Sequence, residues 1–496
     1  MTPKTAIVIG AGFGGLALAI RLQSAGIATT LVEARDKPGG RAYVWHDQGH
    51  VFDAGPTVIT DPAALRELWA LSGQDMDRDV TLLPVSPFYR LMWPDGRRFD
   101  NVNDGDALES EIRRFNPDDI DGYRRFHDYA EAVYQEGYVK LGTTPFLKLG
   151  QMLNAAPALI RMEAYRSVHS IVSRFIKDPQ LRQAFSFHTL LVGGNPFSTS
   201  AIYALIHALE RRGGVWFAKG GTNRLVAGMV ALFQRLGGQM LLNARVARIE
   251  TNGPRATGVT LQDGTFLGAD MVASNGDVMH NYRDLLGHTR RGRVKAAMLG
   301  RQRWSMSLFV LHFGLSKMPQ DIAHHSVVFG PRYKGLVNEI FKGPRLPDDH
   351  SLYLHSPCVT DPSLAPEGHS THYVLAPVPH LGRANVDWEL HGRAYAERIL
   401  DTLEARVIPD LRKHLTVQRI FSPMDFASEL AAHHGSAFSI EPILTQSAWF
   451  RPHNRDRTIR NFYIVGAGTH PGAGIPGVVG SAKATAQVML GDVAAA

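Results

Sequence analysis

Residues 4–20 read KTAIVIGAGFGGLALAI. Lys4 to Ile9 is a short apolar run of the kind that forms a fully buried parallel strand, and from Leu16 to Leu22 the apolar residues resume with helical spacing. Between them Gly10, Gly12 and Gly15 stand in the G-x-G-x-x-G pattern. A second apolar run, Ala28 to Val32, ends at Glu33. Strand, Gly-rich turn, helix and strand together open a doubly wound α/β sheet. Glycine makes up 48 of the 496 residues, so the bare pattern is weak and its context decides.

In that context the turn is built for a dinucleotide. Gly12 lets a pyrophosphate approach the backbone, Gly15 lets helix and strand pack closely, and the helix start offers free N–H groups to phosphate. Glu33 can accept hydrogen bonds from a ribose 2′-hydroxyl and would repel a 2′-phosphate, which disfavours an NADP-type nucleotide. Next comes EARDKPGGRAY, where Gly39 and Gly40 bring backbone close to a ligand and Arg41 can neutralise its charge. Residues 461–477, NFYIVGAGTHPGAGIPG, repeat the design: an apolar strand, a Gly-rich turn with Gly472, Gly474 and Gly477 in the same spacing, and a helix with Pro476 in its first turn. A helix start there can face a flavin ring and favour the negative charge of reduction. A plain nicotinamide enzyme does not require the chain to return at its far end to complete the site.

A chain of this length exceeds what one core supports, so two domains are expected. Composition is ordinary and globular, with 44% hydrophobic and 20% charged residues. The single cysteine, Cys358, excludes an internal disulfide, and the opening residues lack a cleavable leader pattern, so the reading is cytoplasmic. No run of about 18 apolar residues predicts a membrane span. The net charge of +7 comes without any nucleic-acid-binding signature, and no nucleic acid partner is expected.

From Pro84 to Arg212 the pattern is mostly helical, with Phe146, Leu149 and Leu153 on one face until Pro157 interrupts it. Beyond that proline, Tyr165, Val168, Val172, Phe175 and Ile176 recur at three and four while Arg161, Arg166, Arg174 and Lys177 fill polar positions. This basic amphipathic pattern suits either a membrane surface or packing on its own domain. Strand character returns at Arg245–Glu250, Thr257–Leu261 and Asp270–Ala273, then at Ser305–Phe313, Ser326–Phe329, Ser351–His355, His372–Ala376 and Phe462–Val465. Adjacent histidines at His324-His325 and His433-His434 would point to opposite faces of a strand, so no metal site is read from them. Neither a G-x-S-x-G elbow nor a P-loop is present.

With GAGFGGL, EARDKPGGRAY, FDAGPTVIT and the C-terminal GAGTHPGAGIPGVVGSAKATA in view, the chain resembles the bacterial and fungal phytoene desaturases, flavoproteins of the carotenoid pathway, and is similar in particular to their lycopene-forming members. The likeness spans the whole chain, including AFSFHTLLVGGNPF, VWFAKGGTNRLVAGM, LYLHSPCVTDPSLAPEG and HGSAFSIEPILTQSAWFRPHNRD. It implies an FAD-binding Rossmann-type domain assembled from residues 1–83, 213–290 and 456–496, a helical substrate and membrane-docking region at 84–212, and an α+β substrate domain with its sheet at 291–455. By position, Gly10, Ala11, Gly12, Gly14 and Gly15 would hold the FAD pyrophosphate and Glu33 the adenosine ribose, with Gly40 and Arg41 nearby. Val246 would meet the adenine, and Gly466, Gly468, Ile475, Pro476 and Gly477 the flavin side.

The resemblance further implies phytoene and carotene intermediates as substrates, peripheral association with the cell membrane, and oxygen or quinone as electron acceptor. A hydrocarbon offers nothing charged to grip, so its site should be a long apolar slot, with the redox step left to the flavin. Glu441 and His470 are candidates for a proton acceptor. Two other readings stay open on the residues: a sibling acting on diapophytoene, a carotene intermediate or an amine, and a non-enzymatic lipid escort protein on the same scaffold. The number of double bonds formed is not readable, so lycopene and neurosporene both stay open as the end product that the resemblance implies.

Overall fold

The computed structural model describes residues 4–495. A five-stranded parallel sheet runs in the order Phe462–Ile464, Met271–Ser274, Thr5–Ile9, Ala28–Val32 and Gln239–Leu241. Its strands thus come from three widely separated stretches of chain. The helix Phe13–Ser24 is buried from Phe13 through Leu22, packed between the helices Thr222–Arg235 and Ile475–Ala494. Such enclosure explains why its sequence is apolar nearly all round rather than striped. Arg21 escapes the penalty for a buried charge because Glu67 pairs with it at 2.9 Å, and Lys483 holds the same carboxylate at 2.9 Å.

A second, seven-stranded sheet runs Leu415–Phe421, Ser307–Leu315, Ser370–Val378, Leu352–His355, His325–Val328, Tyr89–Met92 and Arg98–Asn101. All neighbours are antiparallel except His325–Val328 with Tyr89–Met92. The stretch read as mostly helical from Pro84 therefore also supplies two strands of this sheet. Every residue of Ser307–Leu315 is buried, because both faces are covered. Phe309, Leu311 and Phe313 pack under the helix Trp388–Arg406, where Phe309 stacks on Trp388 at 5.3 Å and meets Tyr395 edge-on at 5.0 Å. Leu308 and Val310 face the other way, into a core shared with the helices of residues 105–213.

The amphipathic pattern around Pro157 resolves differently from the expectation. A single helix, Leu149–Arg161, runs through Pro157. The bond that Pro157 cannot make would go to the carbonyl of Leu153, and Leu153 is exposed, so water can take its place. The helix then stops, and Ser167 starts a new one, Val168–Phe175, by accepting the Ser170 N–H at 3.1 Å. Val168, Val172 and Ile176 are buried in the chain's own core. Arg166 and Arg174 both pair with Glu163, and Lys177 lies 3.5 Å from Asp118. The basic pattern beyond Pro157 is therefore a packed helix with a largely neutralised outer face.

Candidate active site

A cavity of about 540 Å³ extends from the first Gly-rich turn to the inner face of the seven-stranded sheet. At one end the wall is backbone. Gly10 leaves its strand at φ +90°, and a Cβ on Gly15 would stand 1.9 Å from the Gly10 carbonyl oxygen, so neither position accepts a side chain without rearrangement. Glu33 Oε2 accepts the Ala11 N–H at 2.7 Å and Oε1 accepts that of Arg35 at 3.0 Å. These bonds fix the carboxylate against the turn while leaving lone pairs free for a further donor.

Of the residues expected to bind cofactor, Gly10, Gly12, Gly14, Glu33, Gly40, Arg41, Val246, Ile475, Pro476 and Gly477 line this cavity. Ala11, Gly15, Gly466 and Gly468 lie behind the wall. A Cβ on Gly466 would reach 2.4 Å from Asn275 Oδ1, and one on Gly468 would reach 2.2 Å from Val278. Their smallness thus lets neighbouring segments close up.

Two helices open into the cavity with no side chain capping them. Gly12 precedes Phe13–Ser24 and Gly474 precedes Ile475–Ala494, so the first-turn N–H groups of both are left to a ligand. The Arg41 guanidinium on the same wall donates from Nε to Ala437 O at 2.7 Å. Burial lowers its proton affinity and the nearby Asp277 opposes that. An uncapped helix start, positive charge beside it and a second uncapped helix start beyond match a dinucleotide whose far ring becomes negative on reduction.

Both proton-acceptor candidates are changed by their surroundings. Glu441 is not on the cavity wall. It is buried, paired with Arg303 Nε at 2.8 Å, and accepts from Ser198 Oγ at 3.2 Å. Burial raises its pKa and Arg303 counters this, so it braces two segments instead of facing substrate. His470 does line the cavity, but its Nε2 is 2.8 Å from Leu141 O and its ring meets Phe146 edge-on at 4.9 Å. Burial depresses it to about 4, which leaves a neutral imidazole held in place.

Sequence reasoning missed four wall or bracing residues. Asn275 sits between the Gly10, Gly14 and Gly466 backbones, and Asp277 faces Arg41, while Arg451 holds the last turn through Ala467 O at 2.8 Å and Ile440 O at 3.0 Å. Glu210 lines the sheet half. The strand-ending SNGD that holds Asn275 and Asp277 was a usable turn signal; Arg451 lies in irregular sequence and Glu210 beside two arginines on an amphipathic helix, where an acid looks solvated.

The histidine pairs also departed from strand alternation. The strand begins at His325, so His324 lies outside it and turns inward, with Nε2 3.0 Å from His355 Nε2 and Nδ1 2.6 Å from Thr360 Oγ1. The ring nitrogens of His324, His325 and His355 fall within 4.8 Å of one another. Burial keeps His324 neutral down to about 3 and depresses the other two strongly. None reaches the cavity.

This fold and site define a flavoprotein oxidoreductase with FAD as its cofactor. Residues 13–490 match the family model of flavin containing amine oxidoreductases, and the chain belongs to that family. It is 80% identical over 493 residues, 99% of this chain and 98% of the relative, to a lycopene-forming phytoene desaturase from Paracoccus sp. (strain N81106 / MBIC 01143). Identity is 62% over 99% of this chain and 100% of the relative for the lycopene-forming phytoene desaturase of Pseudescherichia vulneris. Among solved structures, cyclohexylamine oxidase from Brevibacterium oxydans superposes with a TM-score of 0.64 at 18% identity, covering 99% of this chain and 100% of that one. That likeness concerns the fold.

Proposed function

We infer that the protein is an FAD-dependent phytoene desaturase that carries its substrate to lycopene. The observation that carries this reading is the chemical contrast within one cavity: the nucleotide end is glycine backbone and charge, while the sheet end is apolar and aromatic. Leu308, Val310, Val327, Phe329, Tyr373 and Phe421 belong to that second wall. A long hydrocarbon fits it by burial alone. When bound, FAD supplies the hydride acceptor; the chain's own residues hold the polyene against it and exclude water. The full-length identity to the Paracoccus relative supports phytoene as substrate and lycopene as product.

The same geometry supports docking on a membrane surface. Among the described residues no helix is long and apolar enough to cross a bilayer. The helix Leu149–Arg161 instead exposes Leu149, Leu153 and Ile160, at 50%, 63% and 65% of their surface, while Met152 and Leu159 of the same helix line the cavity. One helix thus presents apolar side chains to the outside and to the substrate path, as expected where a lipid-dissolved hydrocarbon enters from the membrane. Membrane quinone or dissolved oxygen would then take the electrons. The intact Gly-rich turns and open helix ends argue for catalysis over an escort role. Purified protein incubated with FAD and phytoene in liposomes should form lycopene, read by its visible absorption. Absence of any more-conjugated product refutes the assignment, and side-by-side assays with diapophytoene, carotene intermediates and an amine separate the siblings.

A further inference from the structure

Removing hydrogen from a hydrocarbon needs a destination for a proton as well as for a hydride. Loss of hydride to the cofactor leaves an allylic cation on the substrate. The adjacent C–H bond then breaks, its electron pair becomes the new C=C bond, and its proton passes to a base. The substrate has no basic atom, so that base belongs to the wall.

Four carboxylates line the cavity among the described residues: Glu33, Glu210, Asp277 and Glu429. Three are already engaged. Glu33 accepts two backbone N–H groups at the nucleotide turn; Asp277 Oδ1 accepts the Met279 N–H at 2.9 Å while its buried Oδ2, which has no hydrogen bond, is balanced by the Arg41 charge; and Glu429 pairs with Arg35 at 2.6 Å. Glu210 differs. It is 1% exposed and stands with Leu209, Ile206 and Phe187 on the apolar half of the wall. Its Oε1 accepts the Tyr89 hydroxyl at 2.8 Å. Its Oε2 is buried without a hydrogen bond, with His188 Nε2 3.1 Å away but off the line that a hydrogen bond requires.

A half-partnered carboxylate in such surroundings costs stability. The neighbouring cation relieves it only through space, because Arg211 spends its hydrogen bonds on Asn101 Oδ1, at 2.8 Å, and on Val102 O. His470 is a poor alternative base at its depressed pKa, and Glu441 is off the wall. Rings around Glu210, with Tyr89 and Phe187 edge-to-face at 5.4 Å and Phe187 near Phe329 at 6.3 Å, offer electron-rich faces to a cation.

We propose that Glu210 Oε2 is the proton acceptor of the desaturation, with Tyr89 positioning the carboxylate and His188 Nε2 receiving the proton afterwards. The negative carboxylate also stabilises the cation before the proton leaves. This rests on the phytoene reading above.

The test uses FAD-loaded protein mixed anaerobically with phytoene liposomes, following loss of flavin absorbance. Wild type must bleach; if it does not, the substrate reading fails and not this assignment. Glu210→Gln should keep the flavin spectrum and retain phytoene on co-sedimentation while bleaching about 100-fold more slowly. Glu210→Asp should recover part of the rate. Bleaching of Glu210→Gln at the wild-type rate overturns the proposal.

Tyr89→Phe is the second variant, decisive if Glu210→Gln does not fold. Losing the hydroxyl that holds Oε1 leaves the carboxylate mispositioned, so the bleaching rate at saturating phytoene should fall about 10-fold while the phytoene concentration giving half that rate stays the same. A saturating rate equal to that of wild type, or a loss confined to phytoene binding, overturns the proposal.

Discussion

The two ends of the cavity offer opposite surfaces. At the nucleotide end the wall is backbone: Gly10, Gly12 and Gly14 line it, Gly474 precedes an open helix start, and Asn275 packs between three glycine backbones. At the sheet end the wall is made of side chains from strands far apart in sequence, such as Val310, Val327, Tyr373 and Phe421. Phosphate needs donors at fixed positions, which only a rigid turn of set spacing supplies. A hydrocarbon needs area, which many combinations of apolar residues supply equally.

The sharpest way to break this contrast is at Gly15. Gly15→Ala places a methyl 1.9 Å from the Gly10 carbonyl, so turn and helix must separate, at a cost of about 3 kcal/mol or more. The purified variant should be colourless, with no flavin absorbance.

Acid should attack the sheet end instead. His312, His324 and His372 are buried in that sheet or beside it, and burial depresses them to about 4, 3 and 3. The unfolded chain takes up protons near pH 6.5 that the folded chain refuses, so stability is full above that pH and lost as pH falls toward 4. Each contributes a loss of about 2 kcal/mol at pH 5. The urea midpoint should fall steeply between pH 7 and 5; a flat midpoint there would contradict the burial of these rings as neutral groups.

Phe309→Ala hollows the far face of the same sheet and should cost about 3–5 kcal/mol in denaturant unfolding. Flavin should still bind the folded fraction, because the nucleotide turn is untouched.

On the helix Leu149–Arg161, replacing Leu149, Leu153 and Ile160 together with Ser removes exposed apolar area worth about 1–2 kcal/mol per residue in a bilayer. Liposome binding should weaken while flavin content stays constant. Replacing Arg166, Arg174 and Lys177 with Ser should have the smallest effect, below about 1 kcal/mol on anionic liposomes, since acidic partners already hold these charges. A stronger effect from the basic set than from the apolar set would reverse the assignment of the docking surface.

Legibility followed the same divide. The Gly-rich turns, Glu33 and the buried strands were readable because a tight turn, a helix start and a covered strand each demand particular residues at particular spacings. Glu441 was misjudged because its partner, Arg303, is remote in sequence. Glu210 gave no signal, since one acid on an amphipathic helix looks like a solvated position until the fold buries it beside Tyr89 and His188. Pro157 suggested a helix end, yet the unmade bond falls on an exposed turn and the helix continues.

By itself, then, the sequence determined the doubly wound FAD-binding core, because local backbone chemistry fixes a Gly-rich turn and a buried strand wherever they occur. It also carried, through likeness along its whole length, the identity of the relatives. Only the tertiary structure decided which carboxylate is buried among apolar and aromatic side chains at the cavity wall, which helix offers apolar side chains to the outside, and which charges are already spent on partners. Those properties are sums over neighbours remote in the chain, and burial, pairing and exposure acquire values only when the strands and helices have been brought together.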